Sequence, residues 1–359
     1  MNQHAPRRVF HLLLILVTVM APTLTCAAQE TVIRIGVANV GVGGRQYFGG
    51  SPGATARAGD YVEDEFRNDP QVKIVWSFFR GAGPAVNEAL ANEQLDFAYQ
   101  GDLPSLIGRA NGLKTRILMA SGANVPEYLA VPTDSDIKGI SDLKGRKVAI
   151  FRGTNGQLAV DKILAANGLS ERDLKVFNMD PATAGAAVAA KDVDAVFGSM
   201  ELFDLQDRDI VRIIYTSKTD NPAFGRRAHV LVTEAFETAH PDLTARVVKA
   251  FVRAAHWSSD EANRAALFEL WAKSGLPASA YRDDFEGQTL KFRNTPLIDE
   301  FARAQYKAQA EQAAAYKLLR GTVDIDSWFD LRFLDAALHD LNLEHYWTRY
   351  DAAGRPLGS

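Results

Sequence analysis

The chain has 359 residues, of which 47% are hydrophobic and 23% charged, a balance typical of a globular protein large enough for two domains. Its formal net charge of −4 gives no support for a nucleic-acid partner or for binding to an acidic membrane surface. The chain contains one cysteine, which excludes an internal disulfide framework.

The first residues have the pattern of a secretory signal peptide. Arg7 and Arg8 precede an unbroken apolar run over residues 12–20, and small residues follow up to Ala28. Because the run is too short to remain as a membrane anchor, we expect residues 1–28 to be removed on export and the mature chain to be periplasmic. A buried N-terminal helix is the alternative interpretation.

Two details of this segment leave alternatives open. The paired arginines of "RRVF" are compatible with twin-arginine export, although such pairs also occur in ordinary signal peptides. Cys26 offers a site for lipidation, but the preceding "TLT" departs from the usual lipoprotein pattern. We favour cleavage after Ala28, which leaves the mature chain without cysteine.

From residue 31 onward, short β-branched runs alternate with alanine-rich amphipathic segments. The strands are predicted at "TVIRIGVA", "VKIVWSFF", "LDFAYQ" and "TRILMASG", and the helices between them at "PAVNEALANEQ" and "LPSLIGRANG". This alternation predicts an α/β fold with parallel sheets covered by helices on both faces. Such sheets bind ligands beyond the carboxyl ends of their strands.

A second α/β set begins near Glu127. Its strands are predicted at "YLAV", "KVAIF", "LKVFNM", "VDAVFGS" and "VRIIYTS", with a short helix near residues 140–143 and longer helices at 156–167 and 181–192. A further strand, "AHVLVT", follows from residue 228. The remainder is mostly helical and begins with a long segment at 240–275, in which one apolar stripe is expected to be core: Leu243, Val247, Val248, Phe251 and Val252.

The chain is therefore predicted to leave its first α/β unit near residue 125 and to return to it near residue 228. Two such crossovers would give two lobes joined by a two-stranded hinge, with a cleft between them. We assign residues 29–125 plus 229–345 to lobe I, 126–228 to lobe II and 346–359 to a C-terminal tail.

Three predicted strand-to-helix turns aim backbone N–H groups at the space in front of them, where they are suited to bind an anion. The alternative is that these residues only cap their helices. The candidate ligand-binding residues of the three turns are Gly81, Ala82 and Gly83; Gln100, Gly101 and Asp102; and Gly153, Thr154, Asn155 and Gly156.

The turn at "RGTNG" does not fit the two best-known phosphate motifs. A P-loop needs Gly-Lys-Ser/Thr at its end, whereas Gly156 is followed by Gln157 and Leu158. The G-x-G-x-x-G spacing of a dinucleotide site is also absent. We therefore expect Thr154 either to cap the helix or to donate its hydroxyl to a bound anion.

Two acidic residues fit a ligand that also carries a cationic group. Asp102 either caps its helix or faces the cleft, where it would suit an ammonium group, and Glu201 raises the same possibility of facing a cationic group. We interpret Arg45 and Arg226, in loops near the cleft, as solvated surface arginines. For Tyr47, Phe48 and Phe203, contact with an apolar ligand tail and ordinary packing remain equally open.

The sequence gives little support for an enzyme. The histidines beyond the signal segment do not pair at metal-ligand spacing, and no G-x-S-x-G nucleophile elbow occurs. We expect neither a cofactor nor a metal. The histidines concerned are His229, His240, His256, His339 and His345.

Three blocks of the sequence resemble a known family in the right order. They are "LDFAYQGDLPSLIGRANG", "YLAVPTDSDIKGISDLKGRKVAIFRGTNGQLAVDKILAANGLSERDLKV" and "HVLVTEAFETAHPDL". Together they are similar to the substrate-binding proteins of ABC importers for aliphatic sulfonates, taurine and nitrate, over about residues 31–320. The resemblance implies a type II-like two-lobed periplasmic receptor, expected to be a monomer, which closes on its ligand and docks on an inner-membrane permease with a cytoplasmic ATPase.

Two segments depart from the family pattern. The first loop, "NVGVGGRQYFGGSPGATARAGDY", is long and rich in glycine, and "SMELF" stands where many relatives carry Trp-Asp-Pro. Both segments would face the cleft, so they bear on which ligand is bound.

The function predicted is capture of a small organic anion, foremost an aliphatic sulfonate, for transport in sulfur metabolism. Taurine, nitrate, an aromatic acid or a thiamine-precursor pyrimidine remain alternative ligands, and a secreted enzyme of this fold is the alternative from another class. A pyrimidine synthase of thiamine biosynthesis shares the fold, but that resemblance would imply a cysteine and histidine cluster, and the mature chain has no cysteine.

Overall fold

The computed structural model describes Met1 and residues 30–358. The predicted signal peptide, its cleavage site and Cys26 lie outside the described residues, except for Met1. Among the helices of the described part, none is long and apolar enough to cross a membrane.

Two five-stranded sheets form the framework of the molecule. The first has the strand order β2-β1-β3-β10-β4 and the second β7-β6-β8-β5-β9. The strands of the first sheet are β1 (Thr31–Val37), β2 (Val72–Phe78), β3 (Phe97–Gly101), β4 (Thr115–Ala120) and β10 (Ala228–Thr233). Those of the second are β5 (Tyr128–Pro132), β6 (Lys147–Ile150), β7 (Lys175–Asn178), β8 (Ala195–Gly198) and β9 (Val211–Thr216).

Fourteen α-helices connect and cover the strands within the described residues. Those before β10 are α1 (Pro52–Ala58), α2 (Tyr61–Phe66), α3 (Ala82–Ala91), α4 (Asp102–Ala110), α5 (Asn155–Ala166), α6 (Pro181–Ala189) and α7 (Glu201–Asp207). Those after it are α8 (Glu234–Ala239), α9 (Pro241–Ser259), α10 (Arg264–Trp271), α11 (Ala278–Asp284), α12 (Leu290–Arg293), α13 (Glu300–Ala315) and α14 (Arg332–Asp340). Short 3₁₀ turns include Val42–Gly44, Ile140–Leu143 and Pro222–Phe224.

The sheets are mixed, whereas the sequence predicts parallel ones. In the first sheet β10 runs antiparallel to both β3 and β4, and in the second β5 runs antiparallel to both β8 and β9. β5 is the first strand after the chain crosses from the first sheet to the second, and β10 is the first strand after it returns. Each of the two strands therefore pairs without the helical crossover that would make it parallel to its neighbours.

The two segments that connect the sheets pair with each other. Val125 and Arg226 form an antiparallel bridge in which each N–H donates to the other carbonyl, at 3.1 and 2.8 Å. A hinge is usually a few residues in a loop or at the end of an element, and both segments lie next to the ends of strands. This bridge is the two-stranded hinge that the crossovers predict.

Each sheet has its own apolar core. The stripe predicted as core on the long helical segment is confirmed, since all five residues lie in the buried cluster between α9 and the first sheet. That segment is not one helix, because α9 ends at Ser259 and α10 begins at Arg264. Trp347, beyond α14, is also buried and donates its indole N–H to Ser259 Oγ at 2.9 Å.

The lobes touch at both ends of the cleft. At one end α4 packs on α5 through Leu103 and Leu158. At the other, Tyr128 of β5 donates its hydroxyl to Asp284 of α11 at 2.8 Å. The strand ends of both sheets and the hinge border the space between these two contacts.

Candidate functional site

The turn before α5 leaves the backbone amides of Asn155 and Gly156 free. Gly153 has a φ of 76°, a left-handed conformation that glycine adopts without strain, and it directs the chain from β6 into the helix. Among the described residues, the N–H groups of Asn155 and Gly156 donate to no acceptor. A helix begins with such unpaired donors and a partial positive charge, so this end of α5 is suited to an anion.

Thr154 occupies the position before α5, but its hydroxyl does not cap the helix. Thr154 Oγ1 donates to the carbonyl oxygen of Phe151 at 2.7 Å. The side chain therefore holds the turn in shape. To donate to an anion, it would first have to release Phe151.

Glu127 and Arg226 lie beside this turn, and the sequence reasoning missed their pairing. Arg226 Nε lies 3.1 Å from Glu127 Oε2, with side-chain exposures of 14% and 3%. The expectation that Arg226 is a solvated surface arginine is wrong, because it also donates to Pro126 O at 2.8 Å and to Ser199 Oγ at 2.5 Å. The only sequence signal was that both residues flank the predicted crossovers.

Glu127 faces the first turn of α5. A methyl group placed on Gly156 would lie 3.7 and 3.9 Å from the two carboxyl oxygens of Glu127. Burial raises the pKa of Glu127 to about 8, against the opposing attraction of Arg226 and with a smaller contribution from Glu201. This buried carboxyl group therefore lies beside the free amides of the turn.

The first lobe brings Tyr99 to the same region. Burial raises the pKa of this tyrosine, while its hydrogen bond with Ser51 and the charge of Arg226 lower it. Gly53 N–H, in the first turn of α1, donates to Ser121 Oγ at 2.9 Å. Arg226 is thus close enough to act on Tyr99 of the first lobe electrostatically, and it also donates to Ser199, which follows β8 of the second lobe.

Asp102 is held by its own helix rather than aimed at the free amides of α5. Its Oδ1 accepts the N–H of Leu103 at 2.7 Å, and the residue is 1% exposed. Burial raises the pKa of Asp102, whereas the charges of Lys162 and Arg227 lower it. These groups form a buried charged cluster between α4, α5 and the hinge.

Gly101 and Asn155 bring the starts of α4 and α5 into contact. A methyl group on Gly101 would lie 2.6 Å from Asn155 Cγ, and Asn155 Nδ2 donates to Arg227 O at 3.1 Å. Gly153 is similarly close to Pro84 of α3. These glycines and Asn155 therefore line the seam between the lobes.

The turn before α3 serves mainly to pack α3 against α4. A methyl group on Gly83 would lie 2.2 Å from Pro104 Cβ, and one on Gly81 would lie 2.9 Å from Ala85 Cβ. Ala82 has a φ of 50°.

Gln100 is 1% exposed and donates to Asn87 Oδ1 at 3.2 Å, while its own Oε1 has no partner among the described residues.

The two segments that depart from the family pattern meet across the cleft. A methyl group on Gly50, in the glycine-rich loop, would lie 2.5 Å from Met200 Cε. Glu201, the next residue, accepts the N–H of Ser199 with Oε1 at 2.8 Å. Its carboxylate therefore closes the turn that begins α7.

The remaining candidates lie apart from the α5 turn. Arg45 is exposed, and Tyr47 lies against the guanidinium of Arg57. Phe48 is buried against Phe78 and Tyr99, so it packs in the core. Phe203 packs edge-on against Tyr128.

Within the described residues, no group of three or more His, Cys, Asp or Glu side chains could hold a metal ion.

Comparison with known proteins places this architecture among binding proteins. The family model described as "NMT1/THI5 like" matches residues 79–265. A Bacillus subtilis (strain 168) protein, provisionally named an aliphatic sulfonates-binding protein, is 27% identical over 303 residues, which cover 81% of this chain and 86% of the relative.

Two solved structures share the fold over most of their length. One is a Methylobacillus flagellatus KT protein, provisionally named the periplasmic sulfonate-binding protein SsuA of a sulfonate ABC transporter. It has a TM-score of 0.75 and 28% identity, covering 90% of this chain and 98% of that one. The other is the alkanesulfonate-binding protein SsuA from Xanthomonas axonopodis pv. citri bound to MOPS, with a TM-score of 0.69 and 26% identity, covering 85% and 100%. The predicted fold class is thereby confirmed.

Proposed function

Because the chain belongs to the NMT1/THI5-like family, we propose that it is the periplasmic solute-binding component of an ABC importer and that it captures an aliphatic sulfonate. The ligand is bound between the lobes, which close about the hinge at Val125 and Arg226. The named relatives are binding proteins for sulfonates, and this chain matches two of them over more than four-fifths of its length.

The observation that carries this proposal is the first turn of α5. Free backbone amides of Asn155 and Gly156 lie beside the carboxyl group of Glu127, which the guanidinium of the hinge residue Arg226 approaches from another side. The donors come from the second lobe and from the hinge, and Tyr99 approaches from the first. An anion held there would contact both lobes and would favour the closed form.

The magnitudes are sufficient for useful affinity. A charge-assisted hydrogen bond contributes roughly 1.5–3 kcal/mol, and a partly buried helix end adds up to ~2 kcal/mol. Two amides and one guanidinium thus approach the ~8 kcal/mol of micromolar binding. Burial of the alkyl tail, at about 25 cal/mol per Å², helps to offset the ordering and desolvation costs.

The partners follow from the same assignment. The closed, liganded form is the one that an inner-membrane permease would recognise, with a cytoplasmic ATPase supplying the energy. Taurine, nitrate, an aromatic acid or a pyrimidine are the competing ligands, and turnover of the ligand would indicate an enzyme of the same fold.

A ligand panel tests the proposal. The chain from residue 29 onward is melted with alkanesulfonates, taurine, nitrate, sulfate, aromatic acids and pyrimidines at about a hundred times the calorimetric Kd. An alkanesulfonate should stabilise the folded chain by about 2.7 kcal/mol and should be recovered unchanged. No shift with any sulfonate would refute the ligand assignment, and conversion of the ligand would refute the receptor class.

A pair of arginine variants locates the site in the same assay. Arg226→Lys keeps the charge but loses the planar donors, so we expect at least a tenfold loss of sulfonate affinity. Arg45→Lys, at the exposed loop position, should bind as the wild type does. Equal affinities for the two variants would place the anion elsewhere.

A further inference from the structure

Glu127 presents an unused hydrogen-bonding atom to the α5 turn. Its Oε2 is buried and lacks a hydrogen-bond partner among the described residues, and so does Arg226 Nε, although the two atoms are 3.1 Å apart. The two charged groups are therefore close enough to attract each other, but the N–H of Arg226 is not aligned for a hydrogen bond to Glu127. Both atoms retain the capacity to bind a third group.

The surroundings of Glu127 contain groups of both signs. Arg226 and the N-terminal end of α5 favour the ionised carboxylate, while burial and the charge of Glu201 at the start of α7 oppose it. From β9, Tyr215 also faces this carboxyl group, but its hydroxyl is engaged in donating to Asp220 Oδ2 at 2.7 Å. A bound anion would add a further negative charge and would shift the balance toward the neutral acid.

A sulfonate group can only accept hydrogen bonds, because it is the anion of a strong acid. An ionised carboxylate beside it would repel it and could not donate. A neutral carboxyl group offers an O–H donor at the place where Oε2 now lacks a partner, and it leaves the charge of Arg226 available to the ligand.

We propose that Glu127 binds the anion as the protonated acid, so that an ionised Glu127 must take up one proton when a sulfonate is captured. The inference rests on the proposed function and concerns the same site. When Glu127 is ionised before the ligand enters, the proton comes from solvent, and it returns to solvent on release.

The direction of the pKa agrees with this arrangement. Burial raises the pKa of Glu127 to about 8, so the ligand-free site already holds the proton at neutral pH. Above that pH the proton must be taken up on binding, which weakens affinity. The Kd of an alkanesulfonate should therefore be constant from about pH 6 to 7.5 and should rise about tenfold per pH unit above about pH 8.

Calorimetric titration with one alkanesulfonate across this pH range tests the proposal. Glu127→Gln keeps a neutral donor of similar shape, so its Kd should stay nearly constant across the whole range. Asp161→Asn is the matched control, because Asp161 lies on α5, the helix whose first turn Glu127 faces, and burial raises its pKa to about 7. That variant should retain the rise in Kd above about pH 8.

Proton uptake by the wild type gives a test that needs no variant. Titrations in buffers of different ionisation enthalpy should show uptake increasing from near zero at about pH 6 to nearly one proton at about pH 9.5. A pH-independent Kd without proton uptake would overturn the role of Glu127 and leave the sulfonate assignment intact. The absence of sulfonate binding at every pH would overturn both.

Discussion

Thr154 stands at the start of α5, where a threonine usually accepts a helix N–H with its hydroxyl oxygen. In this chain the hydroxyl donates to Phe151 O instead, and the residue is 8% exposed. Its contribution to binding is therefore to hold the turn that presents the amides of Asn155 and Gly156. The role is positional, and it depends on the hydroxyl rather than on the methyl group.

Removing the hydroxyl tests this role. Thr154→Ala loses one hydrogen bond of about 1 kcal/mol, and we expect roughly a fivefold loss of sulfonate affinity without unfolding. Thr154→Ser keeps the hydroxyl and should restore most of the affinity. Isothermal titration with melting curves distinguishes the outcomes, and an alanine variant that binds as tightly as the wild type would leave Thr154 without a part in the site.

The sequence predicted this turn but not the acidic and basic residues beside it, Glu127 and Arg226. The turn was recognisable because glycine and threonine between a strand and a helix have local conformational causes. Glu127 and Arg226 are far apart in the chain and flank predicted crossovers, where charged side chains are usually solvated. Only the pairing of the hinge segments brings them together and buries them.

The starts of α4 and α5 meet across the cleft. Gly101 precedes α4 with a φ of −78°, which any residue adopts, so its conformation alone does not require glycine. Glycine is required there because of a close contact: Asn155 Cβ and Cγ occupy the space where a side chain at position 101 would lie. A larger residue there would push the two helices apart.

Gly101→Ala should therefore shift the lobes toward the open form. The added methyl group would meet Asn155 Cγ at 2.6 Å and Cβ at 2.7 Å, and rotation of the amide does not relieve a clash with Cβ. We expect about a tenfold loss of sulfonate affinity with little change in the stability of either lobe. Gly139→Ala, whose methyl group would meet no atom within 4 Å, is the control and should bind normally. Unchanged affinity in Gly101→Ala would show that closure does not need this contact.

At the level of elements, the apolar periodicity predicted most strands and helices because each of them buries one face. It did not give the direction of β5 and β10, since alternation of side chains is the same in either direction. The periodicity also predicted one continuous helical segment where the structure has α9 and α10. Both helices are alanine-rich, and the break at Asp260 depends on a cap. Asp260 Oδ1 accepts the N–H of Ala262 at 3.0 Å and ends the continuous helix.

At the scale of the whole molecule, the two lobes contact each other through α4 and α5 at one end of the cleft and through Tyr128 and α11 at the other. Opposite the α4–α5 end, Lys218 follows β9 of the second lobe and donates its ammonium group to three carbonyl oxygens at the end of α11. The oxygens belong to Asp283, Asp284 and Glu286, at 3.2, 3.3 and 3.1 Å. A cation at a helix C-terminus is favoured by the dipole, so this contact stabilises the arrangement in which the lobes touch.

Lys218→Met removes that contact while keeping the length of the side chain, and it should shift the equilibrium toward the open form. Since affinity scales with the closed population, we expect the Kd for a sulfonate to rise several-fold to about tenfold. X-ray scattering of the ligand-free variant should give a larger radius of gyration, which saturating ligand reduces. Lys191→Met is the control, because Lys191 pairs with exposed Asp134 within the second lobe. If both variants bind and scatter like the wild type, the contact at α11 does not bias closure, and the hinge and the ligand alone set the equilibrium.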